Sequence, residues 1–121
     1  MTPTTHPTCT TAGLEGAKVS LLEEAGGLFK ALGDPSRLRL LQVLLAARGP
    51  LVQHELAQRA GLQVSNASKH LSLLVREGLV RRNPEGTQAH FEVVAPMVAE
   101  VCNLVCGHVS HRIQENFRSL S

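Results

Sequence analysis

Apolar residues recur at helical spacing through most of this 121-residue chain, and the runs break at Gly, Pro and Asp. Leu21, Leu22, Ala25, Leu28, Phe29 and Leu32 stand three and four apart. That spacing predicts a first helix over residues 14–32 with one apolar stripe. Gly26 and Gly27 weaken it by roughly 1 kcal/mol each relative to Ala, unless they admit a closely packed neighbour. Asp34 and Pro35 suit the cap and first position of a second helix. Leu38, Leu40, Leu41, Val43, Leu44 and Leu45 make that helix apolar on most sides, so it belongs at the centre of the fold, and Arg48-Gly49-Pro50 ends it. A short third helix is expected over 52–60, stopped by Gly61. A fourth follows over 64–77, with Ala67, Leu71, Leu74 and Val75 inward and Gly78 at its end. Leu79-Val80-Arg81-Arg82 and Ala89-His90-Phe91-Glu92-Val93 flank Asn83-Pro84-Glu85-Gly86, which predicts a β-hairpin. After Pro96, Val98, Val101, Leu104, Val105, Val109 and Ile113 carry a last helix to about Phe117. The expected class is mainly α with a small β-hairpin, in the order α-α-α-α-β-β-α.

The segment from His54 to Val80 gives this order a meaning. A short helix, a tight turn at Gly61 and a longer helix make a helix-turn-helix, whose second helix enters a DNA major groove. The positions expected to be exposed at the start of that helix are Gln63, Ser65, Asn66, Ser68, Lys69 and His70. All of them can hydrogen-bond to bases or phosphates. A merely solvated helix face would more often carry Glu/Lys pairs. Arg81 and Arg82 on the hairpin then read as a basic wing beside the recognition helix, a winged helix-turn-helix, for which surface arginines on a solvated hairpin are the plainer alternative.

Composition narrows the class. Charged residues are 18% and hydrophobic residues 43%, as in a globular domain, and one domain over 14–121 behind a Thr/Pro-rich tail over 1–13 accounts for the length. With three Phe and no Trp or Tyr, the core must be aliphatic, and such small cores gain from dimerising. The net charge of +2 does not by itself argue for nucleic acid; the clustering of Lys69, Arg76, Arg81 and Arg82 says more. The first residues hold no apolar secretory region and no run nears the ~20 residues of a membrane span. Three cysteines read as thiols in a reducing cytoplasm. No Gly-rich phosphate loop, metallohydrolase His-Glu pattern or nucleophile motif points to an enzyme. A scaffold that lost DNA binding would have no need of Lys69, His70 and Arg81.

Two stretches carry a resemblance. Phe29-Lys-Ala-Leu-Gly-Asp-Pro-Ser-Arg-Leu-Arg-Leu-Leu41 resembles the opening signature of the ArsR/SmtB family of repressors. Gly61-Leu-Gln-Val-Ser-Asn-Ala-Ser-Lys-His-Leu-Ser-Leu-Leu-Val-Arg-Glu-Gly-Leu-Val80 resembles that family's recognition helix, and the likeness extends from Leu28 to Val109. It implies a homodimer built from the first and last helices. It also implies binding to operator DNA, with an inverted repeat expected, and release by an inducer.

The resemblance leaves the inducer open. The family's Cys-x-Cys at the third helix falls here on Val52 and His54, so that site is missing. Sulfur-sensing members pair a second-helix Cys with one in the last helix, and the former falls at about Gln42. The zinc type's early pair falls on Ala95 and Met97, while His108 and His111 match its later pair and could form half of a zinc or nickel site. Cys102 and Cys106 remain, one helical turn apart on one face, where two thiolates can share a soft ion. A disulfide between them inside an intact helix is disfavoured by geometry. Trivalent arsenic or antimony favours three thiolates, and Cys9 on the tail is the candidate third. Redox or reactive-sulfur sensing, with Cys9 or a partner-chain Cys as resolving thiol, is an alternative. So is simple packing of both thiols among Val101, Leu104 and Val105, with no inducer site.

Overall fold

A computed structural model of the chain describes residues 15–120, with side chains from Ser20 onward. The expected tail over 1–13 and Cys9 lie outside the described residues. Five helices and three strands follow in order: α1 (Glu15–Leu32), α2 (Pro35–Ala46), β1 (Leu51–Val52), α3 (Gln53–Ala60), α4 (Val64–Arg76), β2 (Val80–Glu85), β3 (Gln88–Val93) and α5 (Met97–Leu120). The expected class holds, and the order gains one strand.

Helix α2 starts where the sequence places it. Asp34 Oδ1 accepts hydrogen bonds from the backbone N–H groups of Ser36 at 2.8 Å and Arg37 at 3.1 Å. These bonds, that of Arg37 above all, hold the Asp34 carboxyl below its ordinary 3.8. A depressed folded-state value stabilises the fold above the unfolded value, and the benefit is lost as pH falls through the folded one. Asp34→Ala is therefore expected to lower the thermal midpoint at neutral pH. The gap from the parent chain should shrink as pH drops below 3.8 in a calorimetric series.

Leu40, Leu41, Leu56, Leu71, Leu74, Leu79 and Val98 are fully buried, joined by Ala57, Ala67 and Phe91. This aliphatic core locks α2, α3 and α4 together, because each presents a stripe at three- and four-residue spacing. Gly61 ends α3 with φ +71, a left-handed cap, and Leu62 N–H closes the turn on Ala57 O at 2.9 Å. A side chain at Gly61 would strain the turn that aims α4.

The sheet differs from the expected hairpin in two ways. Its order is β1-β3-β2, because Leu51 and Val52 pair with Phe91 and His90. Two residues squeezed between Pro50 and a helix carry no alternation to reveal a strand. The hairpin is also longer: Glu85 pairs with Gln88, so the turn is Gly86-Thr87, with Gly86 at φ +63, rather than Asn83 to Gly86. Pro84 sits inside β2, which is tolerated because β2 is an edge strand whose outer N–H groups need no partner.

Helix α5 is long and largely unsupported. Val98 and Cys102 are buried against the body, but every residue from Asn103 to Leu120 is exposed. Among the described residues no helix is long and apolar enough to cross a membrane.

Candidate nucleic-acid interface and thiol cleft

Burial of Leu56, Ala57 and Ala60 on α3 against Ala67, Leu71 and Leu74 on α4 fixes which side of α4 is left outward. Gln63, Ser65, Asn66 and Lys69 are exposed, as expected, whereas Ser68 and His70 are half-buried. Gln63 precedes α4 without a side-chain capping bond, and the first turn holds no acidic residue to repel a phosphate. Gln53 Nε2 donates to Val64 O at 3.5 Å, tying the start of α4 to α3.

His70 is half-buried because of Arg37, a residue the sequence pattern did not single out for this region. The Arg37 guanidinium donates to Ala31 O at 2.7 Å and Lys30 O at 2.9 Å, and its Nη1 lies 3.4 Å from His70 Nδ1. The guanidinium can only donate in that contact. Arg37 thus links the end of α1 to the middle of α4.

The two wing arginines occupy different places. Neighbours on a strand point to opposite faces, and Arg81 pairs with Glu92 while Arg82 pairs with Phe91 in the strand register. Arg81 Nε donates to Glu92 Oε1 at 3.1 Å, and Asn83 Nδ2 donates to the same oxygen at 3.2 Å. Arg81 first and Asn83 second hold the Glu92 carboxyl below its usual range. Arg82 instead lines a cleft of about 340 Å³ between wing and α4, together with Gln53, Ser68, Ser72 and Phe91. The cleft brings together residues from β1's flank, the recognition helix and the wing. Gln53 and Ser72 were not among the sequence candidates; the four-residue step from Ser68 to Ser72 was the available signal. His90 Nδ1 is buried 3.2 Å from Glu85 Oε2, out of hydrogen-bonding alignment.

A second cleft, of about 410 Å³, opens between α2 and α5; Gln42, Leu45, Ala46, Ala99, Cys102 and Cys106 are among the residues that line it. The two thiols differ. Cys102 is buried, and burial first, then its neighbour Cys106, pushes its thiol above the ordinary 9.0. Cys106 is exposed and accepts from Gln42 Nε2 at 3.9 Å. Among the described residues no three His, Cys, Asp or Glu side chains gather as a metal cluster. His108 and His111 lie exposed on α5, with His111 Nε2 3.9 Å from Glu115 Oε1.

Comparison with known proteins gives this arrangement a lineage. A helix-turn-helix domain model matches residues 32–83. An uncharacterized HTH-type transcriptional regulator of Methanocaldococcus jannaschii is 35% identical over 83 residues, 69% of this chain and 92% of that protein. The homodimeric winged helix-turn-helix DNA-binding domain of Mb0332 from Mycobacterium bovis, described as a possible ArsR-family transcriptional regulator, superposes with a TM-score of 0.72. It is 28% identical, with 87% of this chain and 95% of that one covered. The antimony-specific transcriptional repressor AntR superposes with a TM-score of 0.68 at 25% identity, covering 94% and 96% of the two chains. Sequence relatives and structural neighbours agree with the geometry of α3, α4 and the wing: this chain belongs to the ArsR family of winged helix-turn-helix transcriptional regulators, DNA-binding proteins and not enzymes.

Proposed function

We propose that this chain is a homodimeric repressor that binds an inverted-repeat operator through α4 and the wing, and leaves it when a soft, thiol-binding inducer loads the cleft between α2 and α5. The observation that carries the DNA reading is the convergence of Ser68, Ser72, Gln53 and Arg82 on one cleft beside an exposed, acid-free helix start. Arg82 serves phosphate there, while Ser65, Asn66, Lys69 and His70 Nε2 offer donors and acceptors to base edges and backbone. Arg81 contributes less directly, because Glu92 already holds its guanidinium. Dimerisation rests on the exposed apolar residues of α5, which need a cover that the chain's own body does not supply.

Titration of operator duplex against salt tests this. Arg82→Ala is expected to weaken binding to all sequences and to lower the magnitude of the log–log salt slope by about 1 per protomer, as loss of one phosphate contact would. Arg81→Ala should move the slope much less. Equal slopes for the parent and Arg82→Ala chains would count against a wing on the phosphate backbone.

For the inducer, the donor set is two thiols beside Leu45, Ala46 and Ala99, which suits a soft ion or trivalent metalloid and not a hard cation. The exposed Cys106 meets the inducer first, and binding then displaces the proton that burial keeps on Cys102. A trivalent arsenic or antimony centre takes its third thiolate from Cys9 of the same chain or the partner. The antimony specificity of AntR supports this class of inducer.

A further inference from the structure

We propose that Val64 is a specificity-determining residue that reads the C5-methyl group of a thymine in each operator half-site; this rests on the DNA reading of α4 above. The large apolar side chains exposed among the described residues fall into three places. Leu22 and Phe29 lie on α1, and Leu104, Val105, Val109, Ile113, Phe117 and Leu120 on α5, the faces assigned to the dimer. Leu45 and Val94 border a cleft between α2 and the start of α5. Val64, 42% exposed, stands apart from both, at the first residue of the recognition helix.

Its neighbours there, Gln63, Ser65 and Asn66, are exposed and polar. A lone exposed valine on a protein surface calls for no explanation. This one sits at the helix end that touches base edges when a recognition helix enters the major groove. The apolar feature that base pairs display in that groove is the thymine methyl. Val64 is also held ready. Gln53 Nε2 bonds its carbonyl oxygen, and a β-branched side chain in a helix keeps essentially one rotamer. Little freedom is lost when its methyls meet a partner. A polar residue at this point would hydrogen-bond to a base edge and read the pair differently.

The test replaces thymines by deoxyuridine one at a time in a duplex that the purified full chain selects from a random-sequence pool. Each replacement removes the C5-methyl and nothing else. The parent chain is expected to lose about fourfold in affinity at one thymine per half-site, the equivalent of one buried methyl. Val64→Ala, which loses both γ-methyls, should discriminate between the thymine and uracil duplexes less than the parent does. Alanine favours the helix and leaves no core cavity, so the fold is retained. A parent chain indifferent to every replacement would overturn the proposal, as would a Val64→Ala chain that keeps the full thymine preference. Lys69→Ala on the same duplex separates the two levels of failure. If it weakens binding while no thymine matters, Val64 alone is misassigned; if neither change is felt, α4 is not the reading helix and Val64 falls with it.

Discussion

A chain carrying Cys102→Ser and Cys106→Ser is expected to bind operator DNA like the parent and to remain bound at antimonite or arsenite concentrations that release the parent fully. The two halves of this result come from separate parts of the structure. The thiols line the cleft between α2 and α5, whereas Ser65, Lys69 and Arg82 belong to α4 and the wing. On the proposed reading, loading acts through α2 and α5: a soft centre bridging Cys102 and Cys106 would draw the exposed thiol toward the buried one and break the Gln42–Cys106 contact. Burial disfavours the Cys102 thiolate, so a centre that binds it must displace a proton, and release should be weaker at low pH, where protons compete for that sulfur. Because serine at the buried position places a hydroxyl in apolar surroundings, Cys102→Ala with Cys106→Ala serves as the companion variant. Fluorescence anisotropy of a labelled duplex during metalloid titration reads the outcome. A double variant released at the parent's concentration would place the inducer elsewhere and leave Cys102 as a packed core thiol.

The helices of this fold were legible because their signals are local. Asp34-Pro35 marks the start of α2, Gly61 the end of α3, and apolar spacing separates the inward side of α4 from its outward side within a dozen residues. What escaped depends on pairings distant in sequence. Strand β1 is two residues long and exists only because β3 lies beside it. The hairpin turn reads two residues too early because Pro84 looks like a breaker until β2 is known to be an edge. Arg81 and Arg82 are adjacent letters with one expected role, and only the strand register, Glu92 for one and Phe91 for the other, tells them apart. His70 reads as an exposed contact until Arg37, 33 positions away, is seen against its ring. In sequence, Gln42 marks only the place where a thiol is missing, yet it is the side chain whose amide reaches Cys106. At Val64 an apolar letter at a helix start looks like core, and its 42% exposure is a property of where the core ends.

Placing two charges in the α5 stripe, Val109→Glu with Ile113→Glu, is expected to convert the dimer to a monomer and to cost operator affinity more than any change on α4 itself. Val105, Val109, Ile113, Phe117 and Leu120 recur at four- and three-residue steps, so they form one continuous apolar ridge, between 45% and 86% exposed. Phe29 on α1, 72% exposed, adds an aromatic ring to the apolar surface awaiting cover. Beyond Asn103 the helix has no buried residue, so its apolar ridge is left for a partner to cover. A second copy presents the same ridge, which a two-fold interface requires. Two glutamates in that contact would be buried as unpaired like charges, a cost of several kcal/mol in the dimer and none in the monomer, where both positions are exposed. Once the protomers part, each half-site must be bound separately, and the effective concentration that couples them is lost, about 10²–10⁴ in affinity. Analytical ultracentrifugation should show a single species at the monomer mass, with a cooperative thermal unfolding transition that shows the core intact. The same preparation should bind a duplex with one half-site and a duplex with two equally well. A monomer that still prefers two half-sites by the parent's margin would mean that the coupling runs through the DNA or another surface, and α5 would lose its part in the assembly.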